Sequence, residues 1–171
     1  LRKQIKEYSR TNQMAAKKFK DMLEDTIKQY HERRKHLTAE EAGEAQEHAT
    51  EDIIKNATEQ ALRILREMNA DRESFRKIGL TFEEKAFYDI LKSIAKQFNF
   101  EYPEDKLLIL AAEIKNIVDD KSRYTDWANR DDIKAELKMD LILVLAEHGY
   151  PPVTNDEVFK EIFEQAENFK K

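Results

Sequence analysis

The chain has 171 residues, of which 38% are charged and 40% hydrophobic, with three Gly, three Pro, no Cys and a formal net charge of −5. The absence of Cys excludes disulfide frameworks, thiolate metal sites and cysteine nucleophiles. So few Gly and Pro residues exclude a sandwich or barrel of many short strands, because such folds need turn residues throughout. The composition therefore predicts an all-α protein, built as one domain with or without an appended arm.

The longest apolar stretches, residues 107–112 and 141–146, are far shorter than the ~20 residues that a membrane span requires, and no signal peptide is visible. We therefore expect a soluble, cytoplasmic protein without a membrane partner. The first residue is Leu rather than Met, which we interpret as the start of a piece of a longer polypeptide.

Charge is unevenly distributed along the chain. Residues 1–37 contain 11 basic and 5 acidic side chains, whereas residues 38–52 contain six acidic side chains and no Lys or Arg. Residues 81–171 contain 13 basic and 20 acidic side chains. The pattern predicts a basic arm followed by an acidic connector and an acidic body.

Apolar residues recur at three- and four-residue steps in about six segments, each of which predicts an amphipathic helix. In chain order the predicted helices run from Leu1 to Tyr30, Ala45 to Met68, Phe82 to Phe98, beyond Pro103 to Val118, about Arg130 to His148, and Val158 to Ala166.

The capping pattern T-x-x-E predicts three helix starts, because the Thr hydroxyl can accept the N3 amide while Glu reaches back. It occurs at Thr38/Glu41, Thr81/Glu84 and Thr154/Glu157. Two glycines, Gly79 and Gly149, follow periodic segments and are expected in the left-handed conformation of a helix end. Most aromatic residues lie in the second half, so we predict a long-helix arm and connector over residues 1–78 and a compact helical domain over residues 79–171.

Basic residues of the arm are the first candidate site. On a helical wheel several of them share about a quarter turn, and such a row could contact DNA phosphates without reading sequence. The candidates are Lys3, Lys6, Arg10, Lys17, Lys18, Lys20, Arg33, Arg34 and Lys35. A solvated helix face is the alternative interpretation.

Neither a metal site nor a catalytic site is predicted. The four His residues show no H-E-x-x-H spacing and are interpreted as surface residues, and no P-loop, dinucleotide-binding turn or nucleophile elbow is present. Trp127 is the single Trp and, if exposed, would be a partner anchor. The interpretation we favour over that role is packing in the core, with Thr125 or Asp126 capping the following helix.

Two blocks resemble the C-terminal helical region of the R (restriction and motor) subunit of type I restriction endonucleases. Residues 79–91 read G-L-T-F-E-E-K-A-F-Y-D-I-L, similar to the family's G-L-T-x-E-E-x-A-F-Y-D-x-L. The second block comprises Asp126-Trp127, Arg130, Ala135-x-Leu137 and a closing Gly149-Tyr150-Pro151-Pro152. The similarity extends over about residues 19–169.

The resemblance implies a non-catalytic C-terminal module of a bacterial or archaeal ATP-dependent, DNA-translocating subunit. The family's nuclease and motor domains, with their ATP and Mg²⁺, would lie outside this piece, which would itself have no cofactor and no small-molecule substrate. The implied partners are the methyltransferase subunit and double-stranded DNA. Trp127 and Tyr150 are the candidate docking residues.

The chain departs from the resemblance between the Trp and the Y-P-P, where many relatives are strongly basic. Only Arg130, Lys134 and Lys138 are basic here, at four-residue steps that suit a short phosphate-contacting row. The apolar run from Leu141 to Ala146 instead predicts a helix buried almost all round.

The alternative to a docking module is a free-standing helical scaffold or coiled-coil interaction protein.

Overall fold

Helices dominate the structure, as the composition predicts. The computed structural model describes residues 1–40, 44–151 and 155–169, and over these ranges it contains α-helices, two 3₁₀ turns and no strand. The helices are α1 (Arg2–Thr11), α2 (Gln13–Glu40), α3 (Glu44–Glu73), α4 (Phe82–Gln97), α5 (Glu104–Lys121), α6 (Asp131–Glu147) and α7 (Asn155–Phe169). The all-α class is confirmed, and six is close to the seven α-helices of these ranges.

The additional helix arises because the first predicted helix is divided at Asn12. This residue is extended, with φ −153° and ψ 94°, and it separates α1 from α2. Its buried Oδ1 accepts the backbone N–H of Ala15 at 2.9 Å, which is the bond that an N-cap side chain makes. The prediction of one continuous helix is therefore wrong, since the sequence carries a capping residue within its apolar period.

The antiparallel hairpin of α2 and α3 forms a two-helix arm. Thr26 and Gln60 face each other across it, with 3.3 Å between Thr26 Oγ1 and Gln60 Oε1. The predicted helix start at Thr38 is wrong because α2 continues through this residue to Glu40. Its capping partner Glu41 lies outside the described residues.

Predicted helix boundaries hold in the second half of the chain. Thr81 and Glu84 form the reciprocal capping box of α4, with the Glu84 amide 3.2 Å from Thr81 Oγ1 and the Thr81 amide 2.7 Å from Glu84 Oε2. Gly79 and Gly149 both have positive φ, at 73° and 66°. The helix α7 begins at Asn155, while Thr154 lies outside the described residues.

The larger hydrophobic core is formed by α4 to α7. Its fully buried side chains include Phe87, Leu91, Leu110, Ile114, Leu137 and Ile162. A second cluster joins α1, α2 and the C-terminal half of α3 through Ile5, Phe19, Ile64 and Met68. Helices α1 and α2 also contact α4, and α1 contacts α7, so the two clusters adjoin. The division into residues 1–78 and 79–171 stays a prediction.

A buried charged network connects α1, α3 and α4, and we call it the Lys85 network. Lys85 is only 5% exposed, and its Nζ lies 3.3 Å from Asp71 Oδ1 on α3 and 2.5 Å from Asp89 Oδ2 on α4. The Tyr8 hydroxyl donates to Asp71 at 2.5 Å, and Asn12 Nδ2 donates to Asp89 at 2.6 Å. Each buried polar group thereby has a partner, as burial requires.

Burial affects the titration of this network. It raises the pKa of the Asp89 carboxyl above its usual value, although Lys85 and Asn12 oppose that shift. Burial and the hydrogen bond to Asp71 raise the pKa of the Tyr8 phenol, which therefore remains a donor at neutral pH. The Arg72 guanidinium lies over the Tyr8 ring, 4.9 Å from its centroid.

Amide side chains of α7 fix the bend between α1 and α2. Gln165 is fully buried; its Oε1 accepts the Gln13 backbone N–H at 2.7 Å, and its Nε2 donates to the carbonyl of Thr11 at 3.4 Å. The Gln13 side chain donates to Glu164 and accepts from Asn168. Backbone groups that the break leaves without helical partners are thus satisfied by α7.

Replacing Lys85 with Met should destabilise the fold by about 3–5 kcal/mol, because two partly buried carboxylates lose their shared cation. Urea unfolding followed by circular dichroism measures this change. The matched control is Lys96→Met, on the exposed last turn of the same helix. We expect that control to cost less than about 1 kcal/mol. Equal effects of the two substitutions would contradict a structural role for the network.

Candidate docking and nucleic-acid surfaces

The bend at Asn12 redistributes the predicted basic row of α1 and α2. Lys6, Lys17 and Lys20 line one open groove between the two helices, together with Arg2, which the sequence interpretation did not single out. Lys3 and Arg10 are exposed but do not line that groove. Three of the predicted side chains are therefore brought together, on two facing helices rather than along one.

Lys18 is separated from the groove and lies over the ring of Phe19, with 5.2 Å between its Nζ and the ring centroid. The remaining basic residues of the arm lie farther along α2, where every residue from His31 to His36 is exposed. Arg33 lines a crevice with Asp52 and Glu59 of α3. Arg34 and Lys35 belong to the same exposed stretch.

The basic residues around α6 form a weaker row than their spacing predicts. Arg130 precedes the helix and binds the Asp132 carboxylate, with its Nε 3.2 Å from Oδ1 and its Nη2 2.5 Å from Oδ2. This hydrogen bonding raises the pKa of Arg130 and lowers the pKa of Asp132. Lys138 Nζ lies 3.5 Å from Asp156, while Lys134 is half-buried. Neighbouring carboxylates therefore neutralise two of the three cations.

Trp127 and Tyr150, the candidate docking residues, are both buried. Trp127 is 5% exposed, in the 3₁₀ turn Trp127–Asn129, and Tyr150 is 2% exposed. Neither ring is presented at the surface, because each packs into the core of α4 to α7. The expected cap is also absent: α6 begins after Arg130, without a capping bond from its side chain, and Asp126 instead has a positive φ of 56°.

Residues of the two sequence blocks hold the helices together. The Tyr150 hydroxyl donates to the backbone carbonyl of Leu91 at 2.8 Å, which joins the end of the second block to α4 of the first. Tyr88 of the first block hydrogen-bonds Glu104 at the start of α5. That bond lowers the pKa of Glu104, whereas burial raises the pKa of Tyr88. The motif residues thus act as a framework between helices.

The outer side of α6 carries an apolar stripe. Met139 is 59% exposed and Leu143 56% exposed, one turn apart, and Ala135 and Ala146 extend the same face. The prediction that this helix is buried almost all round is wrong, because only its other side, with Leu137, packs into the core. The sequence pattern did not reveal the stripe. Apolar residues lie on both sides of α6, so the pattern does not distinguish a buried face from an exposed one.

Within the described residues, no group of three or more His, Asp or Glu side chains is placed to hold a metal ion. His148 differs from the surface residue expected, since it is half-buried with Nε2 2.9 Å from Glu113 Oε2.

No helix of the described ranges is long and apolar enough to cross a membrane.

Comparison with known proteins agrees with the sequence resemblance. The whole chain, residues 1–171, matches the family model described as type I restriction enzyme HindI endonuclease subunit-like, C-terminal. The chain therefore belongs to this family of C-terminal domains of type I restriction endonuclease subunits.

Two curated relatives carry names of the same kind. The type I restriction enzyme HindI endonuclease subunit of Haemophilus influenzae is 28% identical over 98% of this chain. The putative type I restriction enzyme MjaIXP endonuclease subunit of Methanocaldococcus jannaschii is 25% identical over 92% of it. The chain spans only 14% and 13% of these relatives' own lengths. No solved structure matches the chain significantly.

Replacing Tyr150 with Phe should lower the free energy of unfolding by about 1 kcal/mol, because the buried hydrogen bond from its hydroxyl to the Leu91 carbonyl is lost. The control is Tyr124→Phe, which removes a hydroxyl from a ring that is 50% exposed. Thermal unfolding of both variants tests the comparison. An unchanged melting temperature for Tyr150→Phe would show that the hydroxyl does not contribute to joining the two blocks.

Proposed function

We propose that this chain is a non-catalytic C-terminal module that attaches the endonuclease subunit of a type I restriction enzyme to its methyltransferase subunit. The family assignment supports the subunit context, and the relatives are much longer than this chain. In this proposal the nuclease and ATP-driven motor, with their Mg²⁺ and ATP, belong to the rest of the subunit.

The apolar stripe of α6 is the observation that carries the docking proposal. Four apolar side chains follow one helix face at steps of four, four and three residues: Ala135, Met139, Leu143 and Ala146. Exposed apolar side chains grouped on one rigid face are typical of a protein interface. On the helical wheel of α6, carboxylates border one side of the stripe and lysines the other; they are Glu136, Asp140 and Glu147, and Lys134 and Lys138. An apolar centre with a polar rim is the arrangement of a protein interface.

Replacing Met139 and Leu143 together with Asp should weaken assembly with the methyltransferase subunit by at least about tenfold, because an interface centre depends on a few buried anchors. The experiment uses the full-length endonuclease subunit that carries this chain and measures co-purification with the methyltransferase subunit. A matched control changes two exposed apolar residues of α3, Ile54 and Leu62, to Asp.

Normal assembly of the α6 double variant, with the control also normal, would overturn docking through this face. A subunit shortened at Leu1 that still assembles would overturn the docking function altogether. Sedimentation of the chain distinguishes the alternative of a self-associating scaffold, which would run as an oligomer, from the monomer that docking through this module predicts.

DNA contact by the arm is a second candidate function. The specific observation is the exposed stretch of α2 from His31 to His36, in which Arg33, Arg34 and Lys35 are consecutive. Consecutive helix residues diverge by about 100°, so these cations are spread around the helix rather than aligned on one side. Such a cluster can contact phosphates of a DNA duplex from more than one side of the helix. It would bind DNA without sequence preference.

Changing Arg34 and Lys35 together to Glu should reduce duplex binding by about tenfold at ~50 mM salt, with a smaller difference at ~200 mM salt where all such binding is weak. Gel-shift titration at both concentrations measures the change. Lys96→Glu with Lys106→Glu is the control, because it alters the net charge equally on other exposed helices. Equal losses in both double variants would indicate a general charge effect and contradict a DNA site on the arm.

A further inference from the structure

The groove between α1 and α2 has a volume of about 690 Å³. Basic side chains lie along both of its edges, which we call its banks. Arg2 and Lys6 lie one turn apart on α1, and Lys17 and Lys20 lie one turn apart on α2; all four are exposed. Glu24 is the single carboxylate among the lining residues, and it lies 3.7 Å from Lys20. The lining therefore carries a net positive charge of about three at neutral pH.

The floor of the groove is mainly apolar. Its apolar members are Ile5 and Ala16, which are buried, and the half-buried Leu23, while Ser9 and Gln13, also half-buried, are the neutral polar residues of the lining. Ala16 contributes to the depth of the groove because its side chain is a single methyl group. A ligand in this groove thus meets apolar atoms below and cations on both sides.

The groove is also held in shape. Hydrogen bonds from Gln13 to Gln165 and Glu164 of α7 fix the bend, and the buried Asn12 is bonded to Asp89 of α4. The two banks consequently have a defined spacing before any ligand binds. Preorganisation of this kind reduces the ordering cost of association.

We propose that this groove binds an acidic amphipathic helix of a second polypeptide. The carboxylates of such a helix would meet Arg2, Lys6, Lys17 and Lys20, and its apolar face would cover Leu23 and the floor. The groove follows α1, which has 10 residues and is about 15 Å long, so it accommodates roughly three turns of a docked helix. This site is separate from the stripe of α6, and the proposal does not depend on docking through that stripe.

Charge complementarity alone would also allow a DNA phosphate backbone, but the groove geometry favours a helix. Packed helices lie about 8–10 Å apart, so a groove between them is narrow compared with the convex backbone of a duplex. Phosphate contacts are made by cations and polar groups and gain nothing from an apolar floor. An apolar helix face bordered by acidic side chains would use both properties of the groove.

The test uses a fluorescein-labelled synthetic helix with a Leu stripe bordered on both sides by Glu, titrated with the 171-residue chain in an anisotropy assay. A scrambled peptide of the same composition is the first control, because it keeps the charge and loses the amphipathic face. We expect the ordered peptide to bind at least about tenfold more tightly than the scrambled one.

Two variants locate the site. Lys6→Glu with Lys17→Glu should weaken peptide binding by at least about tenfold, since it reverses one cation on each bank. The matched control, Lys77→Glu with Lys106→Glu, makes the same charge change at exposed positions outside the groove and should change binding less than about twofold. Leu23→Ala should weaken peptide binding about fivefold without a change of charge, and circular dichroism verifies that each variant is folded.

Three outcomes would overturn the proposal. The first is equal binding of the ordered and scrambled peptides, which indicates charge attraction without a groove. The second is a duplex that binds through Lys6 and Lys17, is insensitive to Leu23→Ala and displaces the peptide, which makes the groove a phosphate site. The third is no peptide binding at about 100 µM chain and ~50 mM salt. Each of these results is independent of whether the α6 variant assembles with a methyltransferase subunit.

Discussion

The burial of one cation, Lys85, constrains the arrangement of α1, α3 and α4. A charged side chain at 5% exposure is stable only when it is paired and hydrogen-bonded, and its two carboxylates come from different helices. Asp71 fixes the end of α3 against α4, and Tyr8 and Asn12 bring α1 and the start of α2 to the same point. The network therefore sets the point at which α2 and α3 leave the compact helices α4 to α7. Hydrophobic contacts are not directional, so they alone would define this point less precisely.

The residues that carry the family resemblance serve this framework. Asp89 neutralises Lys85, Tyr88 bonds the start of α5, and Tyr150 returns to α4, while Trp127 lies in the core. The surfaces that we propose for partners lie elsewhere, on the outer side of α6 and between α1 and α2. A sequence signature can thus identify the fold of a module without marking its binding residues, since function depends on sites placed on the fold.

Much of the fold was predictable because its helix boundaries have local causes. The capping box of Thr81 and Glu84 and the left-handed Gly79 depend on neighbours within a few residues. The break at Asn12 was not predicted, since it depends on Asp89 and Gln165, far away in the sequence, in addition to its own capping bond. The candidate surfaces were less predictable still: wheel geometry placed Lys6, Lys17 and Lys20 in one row, whereas the bend places them on two banks. The exposure of Leu143 likewise depends on which side of α6 its neighbours cover.

The length of α3 magnifies any difference of angle at the Lys85 network. From Glu44 to Asp71 the helix rises about 40 Å, and both residues belong to one uninterrupted element. A helix of this length transmits rotation as a stiff rod, so a tilt of about 5° at its packed end moves the other end by about 3.5 Å. The position of Asp71 near the packed end of α3, together with the packing of α3 along α2, therefore sets the direction in which the rest of the helix extends.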